Sequence, residues 1–484
     1  MIEISPGHIY LWLLRTSRLA STDQRVHVQA EFGRWLGRDG SFVSHVESGR
    51  RQMPADVRER WLAAIDLDAI ATDDFLADIA ADFSQFDLAA WQSHGRPDRD
   101  LGLFDAAIDG VPLSARDWAD ACRATAGLEM PRAVRRFCRL VTDALATASP
   151  AQYTVMSTAM RGLPVESLVD TIRETVEAAP ARGYQLMDIL AALDGTHSGP
   201  LLRQYLRTLP DPWMLRSIAE AMRRLVCRGH LTYLADDPHE LQGWLVESLA
   251  DAPSWTSRIE LANLAAAIGP LPPPAIRRLA DDHDQDVRLT VGDPPSQDAA
   301  EVVRHLRTQV LVPAFDAMRG SATEDPLAHK LVGMMVLGRT RRTRIMAARA
   351  LGLSAYRAPL AAALPALLSA SSPETRRSIA QSLMYFPSTA QVRQALTKRA
   401  AEDVDADVRG RAIWSLIPCA ADIAQPTLDG LLSDADESVR RCAVDLAGAA
   451  KYEQGLRRAL DDSSPVIVAD AKTLLASLVD QKGN

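Results

Sequence analysis

The feature that most constrains the fold is a phrase that returns at a nearly constant pitch. Acidic, Ser or Pro residues lead into a segment of the type Asp-x-Val-Arg, and an Ala/Leu-rich stretch follows. The copies are Asp407-Val408-Arg409, Ser438-Val439-Arg440, a looser Glu374-Thr375-Arg376 and an earlier Asp286-Val287-Arg288. With the residue before the Arg as anchor, Thr343, Thr375, Val408, Val439 and the Arg-less Ile467 follow one another at spacings of 32, 33, 31 and 28. Four residues on stand Ala347, Ile379, Ala412, Ala443 and Ala471, and eight on Leu351, Leu383, Leu416, Ala447 and Leu475. Those offsets put the side chains on one helical face, and small residues there let a neighbouring helix approach closely. A second helix precedes each anchor, as in Leu360–Leu368, Val392–Ala401, Pro426–Leu432 and Leu456–Leu460. Asp403, Asp405, Asp434, Asp436 and Ser464 supply loop and cap chemistry. Units of this kind cannot bury their apolar face alone and must stack.

Composition agrees. The 484 residues are 47% hydrophobic but only 5% aromatic, and charged residues make up 24%; that balance excludes wholesale disorder and a mostly β chain. Only 5 of the 54 basic residues are Lys. The net charge of −8 excludes a uniformly basic nucleic-acid coat. Residues 1–66 carry a net +1, whereas residues 67–130 carry −9, which places a boundary near residue 66.

The repeats resemble HEAT repeats of the short Asp-x-Val-Arg type, well over 340–484 and more loosely from about 275. Helix pairs at Pro200–Leu209 and Met214–Leu225, with Gln185–Leu193 and Leu241–Leu249, extend the expected solenoid back to about 131. Pro270–Pro274 and Gly292–Ser296 read as turns or short insertions between repeats. The acidic segment 67–130 reads as a helical connector with Phe75, Leu76, Ile79, Phe83, Phe86 and Trp91 on its apolar side, followed by a loop at Ser93–Leu101.

A sharper signal lies at residues 29–51. A helix over Val28–Leu36, with Phe32, Trp35 and Leu36 inward, stops at Gly37. A second over Gly40–Ser48, with Val43 and Val46 inward, stops at Gly49, and Arg50-Arg51 follow. Val57, Trp61, Leu62 and Ile65 close a small core, and a helix over Ile9–Leu19 completes the bundle. The pattern Gln29-x-x-Phe32-Gly33, Leu36-Gly37, Val43-Ser44-His45-Val46-Glu47-Ser48-Gly49 and Pro54 resembles the XRE-type, lambda-repressor-like helix-turn-helix domain over about residues 8–66. The stretch Ala20–Val28 is longer than that family's usual link, Gly33 replaces its usual Ala, and Gly40 removes a side chain where a polar reader often sits.

The resemblance implies a second helix in the major groove of double-stranded DNA. Gly40, Ser41 and His45 would then face bases. Gln29, Ser48, Gly49, Arg50 and Arg51 would hold phosphates through side chains and backbone N–H groups. Glu47 would be structural. It also implies a homodimer on a palindromic site. Arg339, Arg341, Arg342 and Arg344 form a second cluster that could meet phosphates or an acidic partner, or open a solvated helix. Arg288, Arg376, Arg409 and Arg440 could form a basic stripe that itself holds DNA, or an internal ladder with loop Asp residues.

No catalytic motif stands out, and no cofactor or metal is expected: the five Cys lie far apart, and no His-Glu-x-x-His or phosphate loop occurs. A HEAT-like DNA glycosylase would need Trp213, Trp244, Trp255 or Trp414 brought together with Asp and Arg. No apolar run of about 18 residues suggests a membrane span. The expectation is an all-α protein that is not an enzyme: a small helix-turn-helix bundle (1–66), an acidic connector (67–130) and an α-solenoid of HEAT-like helix pairs (131–484). It would act in the cytoplasm at the nucleoid as a sequence-specific bacterial transcriptional regulator. Its solenoid would dimerise or take a protein partner. The alternative is a defence- or conjugation-related interaction scaffold that does not bind DNA.

Overall fold

The computed structural model describes residues 6–65, 101–111, 113–125, 130–146, 162–208, 211–252, 254–319 and 325–483, with single positions between them. Among the described residues every regular element is helical. The protein is all-α, and its helix pairs build an α-solenoid. It divides into two compact units, each made of two chain segments: Met1–Pro97 with Ser296–Ala395, and Asp98–Pro295 with Leu396–Asn484.

The first unit opens with a five-helix bundle: α1 (Pro6–Ala20), α2 (Gln24–His27), α3 (Gln29–Trp35), α4 (Phe42–Glu47) and α5 (Ala55–Ala64). The long stretch before α3 thus contains a short helix, capped by the Asp23 carboxylate accepting from the Arg25 N–H. Gly37 and Gly49 take φ of 73° and 71° where α3 and α4 end, a conformation that suits glycine. Phe32, Leu36, Phe42, Val43, Val46, Val57, Trp61, Leu62 and Ile65 are buried together with Ile9, Leu13 and Leu14. Trp35 is not inward as expected. It is 45% exposed and lies along the outer side of Phe32, because Trp61 occupies the interior against that ring at 5.0 Å.

The same unit holds α1 against the repeats. Asp325 caps helix Pro326–Leu337 by accepting from the Leu327 and Ala328 N–H groups. Its Oδ2 also accepts from Trp12 Nε1 at 2.8 Å and from the Tyr356 hydroxyl at 3.1 Å, and Arg15 stands 3.6 Å away. The described residues after α5 (Leu67, Thr72, Phe75 and Leu76) are buried, and Arg349 lies over the Phe75 ring. The expected positions Ile79, Phe83, Phe86 and Trp91 and the loop 93–100 lie outside the described residues.

In the second unit one hydrophobic cluster runs from Phe104 to Val287. Helices Gly102–Ile108 and Ala115–Thr125 contribute Phe104, Ala107, Ala119 and Cys122 to it, so the core begins before residue 131. Helices Gly195–Thr208, Pro212–Cys227 and Pro238–Ser248 stand where pairs were expected, and Asp211 caps the second by accepting from Met214 N–H.

The pitch marks the interior closely. Ala347, Ile379, Ala412, Ala443 and Ala471 are all 0% exposed. Leu351, Leu383, Leu416 and Ala447 are buried as well, whereas Leu475, in the last copy, is half-exposed. Of the four recurring Arg side chains, Arg409 and Arg440 form an internal ladder with Asp residues of the next loop. Arg409 grips Asp434 with two hydrogen bonds of 2.8 Å and donates to the Asp403 carbonyl; Arg440 repeats this with Asp462 and the Asp434 carbonyl. Arg258 holds Asp282 in the same way. Arg288 pairs with Asp293 in its own turn instead, and Arg376 donates to the Ala370 and Ser371 carbonyls.

Candidate functional site

The outward side of the five-helix bundle is built on α4. Its inner residues Phe42, Val43 and Val46 leave Ser41, Ser44, Ser48, Gly49, Arg50 and Arg51 exposed and His45 half-buried; Gly40, before the helix, is exposed too. The helix is fixed from below by a buried ion pair. Arg18 of α1 donates through Nε to Glu47 Oε1 at 2.5 Å and through Nη2 to Oε2 at 3.1 Å, and its Nη1 donates to the Val26 and His27 carbonyls. Both side chains are nearly inaccessible. Glu47 is therefore structural, as the resemblance implied, and Arg18 is the partner that sequence reasoning did not single out.

The expected contact residues divide by their neighbours. Gln29 Nε2 donates to Glu47 Oε2 at 2.7 Å, so one amide hydrogen faces inward and the other remains. The backbone N–H groups of Ser48, Gly49, Arg50 and Arg51 are not available for phosphates as expected. They donate to the carbonyls of Ser44, Val46 and, twice, His45, closing the end of α4. The side chains remain accessible. Arg50 is exposed without a carboxylate partner among the described residues, whereas Arg51 lies over the Phe42 ring and pairs with Asp39 at 3.1 Å.

Asp39 was also missed. Its Oδ1 accepts from both the N–H (3.0 Å) and the hydroxyl (2.5 Å) of Ser41, and these bonds, led by the hydroxyl and supported by Arg51, hold its carboxyl below the ordinary range. Gly33 is what brings this turn in: a Cβ there would stand 2.6 Å from the Asp39 carbonyl oxygen.

The second cluster does not behave as one surface. Arg339 is exposed, but Arg341 and Arg342 are partly covered and Arg344 is buried at 5%, so Arg344 cannot meet a phosphate. The Thr340 hydroxyl caps this helix by accepting from Thr343 N–H.

The second unit gathers aromatic and charged side chains from distant segments. Trp213 packs edge-on against Tyr184 and Trp414, and Arg441 lies 4.0 Å over the Trp213 ring. Arg441 pairs at 2.9 Å with both Asp211 and Asp470; Arg182 pairs with Asp445 and lies 3.9 Å from Asp470. Trp255 donates to Asp407 instead and carries Arg411 over its ring. The space a bound base would need over Trp213 is filled by the chain's own guanidinium. Among the described residues no group of His, Cys, Asp or Glu is placed to hold a metal, and no helix is long and apolar enough to cross a membrane.

Comparison with known proteins identifies the solenoid class more closely. Residues 337–417 match the family described as HEAT repeats, over the stretch where the pitch is most regular. No curated protein matches the sequence. Among solved structures, the chain is similar to one described as the structural basis of tubulin recruitment and assembly by microtubule polymerases with tumor overexpressed gene (TOG) domain arrays. The identity is 11%, the match covers 89% of this chain and 99% of that one, and the TM-score of 0.22 is too low for the likeness to bear on fold or partner.

Proposed function

We propose that this protein is a sequence-specific DNA-binding protein, a bacterial transcriptional regulator whose α1–α5 bundle is an XRE-type helix-turn-helix domain. The observation that carries the proposal is the presentation of α4. Its apolar side is locked inward by the Arg18–Glu47 pair, while Gly40, Ser41 and His45 form an accessible edge with Arg50 at the far end. Insertion into a major groove would place that edge against bases, with Arg50 and the remaining Gln29 amide hydrogen at phosphates. The small number of free cations makes one copy a weak binder, so two copies on a palindromic site are expected. The HEAT-like repeats would supply dimerisation or a protein-docking face, and the protein would act at the nucleoid.

The test is a salt-dependent mobility-shift titration on DNA selected from a random duplex library, with Ser41→Ala, His45→Ala and Arg50→Ala combined as control. The expected result is an enriched motif and a loss of at least about ten-fold in affinity in the triple variant. Equal, weak binding of all DNA by both proteins sinks the proposal. One observation favours a second reading, in which the bundle docks proteins: Val28 and Trp35, seven residues apart at the two ends of α3, are 51% and 45% exposed. In that case Trp35→Ala abolishes partner capture while no DNA motif emerges.

A further inference from the structure

The turn before α4 carries an arrangement that goes beyond DNA binding as such. The Ser41 hydroxyl donates its only proton to Asp39 Oδ1 at 2.5 Å, and the Ser41 N–H donates to the same oxygen at 3.0 Å. A hydroxyl whose proton is committed has only lone pairs left to offer, and donation to a carboxylate makes its oxygen a better acceptor. Asp39 Oδ2 accepts one hydrogen bond, from Arg51 Nη1 at 3.1 Å, and keeps a second acceptor site; it cannot donate while ionised. Arg51 is itself held over the Phe42 ring, so the carboxylate has a fixed counter-charge that does not have to come from the ligand. Gly40 stands between the two acceptors with no side chain to cover them, and all three residues are exposed. Within the turn Asp39–Ser41 the side chains therefore offer acceptors and no donor.

Resting on the DNA-binding reading above, we propose that Asp39 and Ser41 select base pairs presenting an exocyclic amino group in the major groove, cytosine N4 or adenine N6, and disfavour a guanine O6/N7 or thymine O4 edge at the same position. The major groove distinguishes these edges by donor and acceptor alone, and an acceptor facing guanine O6/N7 or thymine O4 is left unpaired. Asp39 is thus a specificity-determining residue that family position alone does not mark, and Gly40 is the gap that exposes it.

The experiment uses the full chain and duplex DNA selected from a random library. Selection is repeated with Ser41→Ala and with Asp39→Asn, and wild-type protein is titrated on the selected duplex with one amino group deleted at a time. For that purpose 2-pyrimidinone replaces cytosine, or purine replaces adenine. The expected result is one position enriched in C or A by wild type, relaxed by either variant while the rest of the motif persists. At that position the matching deletion should weaken wild-type binding roughly ten-fold. Loss through 2-pyrimidinone assigns N4, and loss through purine assigns N6. A motif that both variants reproduce unchanged, or deletions that are silent at every position, overturn the inference while leaving DNA binding intact. If wild type enriches no motif at all, the DNA-binding reading itself fails. The base analogues leave the protein untouched, so a variant that folds poorly does not decide the outcome.

Discussion

At the scale of single residues, the bundle depends on a few side chains whose neighbours lie far away in sequence. Glu47 is the last residue of a surface-facing helix, yet its carboxylate is buried because Arg18 reaches it with two hydrogen bonds. Removing one member of such a pair leaves an uncompensated buried charge. Glu47→Ala should therefore destabilise the bundle by about 3–5 kcal/mol, read from urea unfolding; an unchanged midpoint would show that Arg18 finds other partners at no cost. Gly33 is a different case. An added methyl must displace the Asp39 carbonyl, which it would meet at 2.6 Å. Gly33→Ala should cost about 1–3 kcal/mol and should shift the Asp39 and Ser41 backbone resonances, and Ala at this position with neither effect would contradict the packing described. The sequence marks Gly33 only as a departure from the family's usual Ala. The reason for it lies in a turn that approaches from six residues on.

At the scale of elements, what could be read in advance was what repeats. Ala347, Ile379, Ala412, Ala443 and Ala471 stand at one offset in successive units, so one pattern located five buried positions. Caps were legible for the same reason: Asp405 and Asp436 recur before equivalent helices and accept from Val408 N–H and from Ser438 and Val439 N–H. The docking of α1 was not legible, because Trp12 and Asp325 are separated by 313 residues and neither lies in a repeated phrase. Asp325 serves α1 and the start of helix Pro326–Leu337 at once. Asp325→Asn keeps its shape but weakens the acceptor for Trp12 and Tyr356. The measurement is amide hydrogen exchange, with faster exchange expected together in α1 and in the first turn of that helix. Acceleration in the helix alone would mean that α1 is held by its apolar contacts and not through Asp325.

At the scale of the whole molecule, each compact unit is assembled from two segments of the chain, so residues far apart in sequence share one packed unit. In the second unit the two segments meet at Arg182, Tyr184, Asp211 and Trp213 on one side and Trp414, Arg441, Asp445 and Asp470 on the other. Asp470 is the most deeply placed carboxylate of this seam. Burial pushes its carboxyl up to about 6 despite the pull of Arg441 and then Arg182, while Asp445 adds to the rise, and its Oδ1 accepts no hydrogen bond among the described residues. The folded value lies above the ordinary 3.8. Between about 4 and 6 the native state therefore holds a proton that the unfolded chain has released, and the contribution of Asp470 to stability falls as pH rises through that window and is flat above it. Asp470→Asn cannot titrate. The stability of wild type relative to this variant should accordingly increase as pH is lowered from 7 to 5, measured by urea unfolding followed through the fluorescence of the seam tryptophans. Groups that do not interact with Asp470 titrate equally in both proteins and cancel in the difference. A difference that stays constant from pH 7 to 5 would place Asp470 in a solvated setting and remove the seam as the buried join between the two segments.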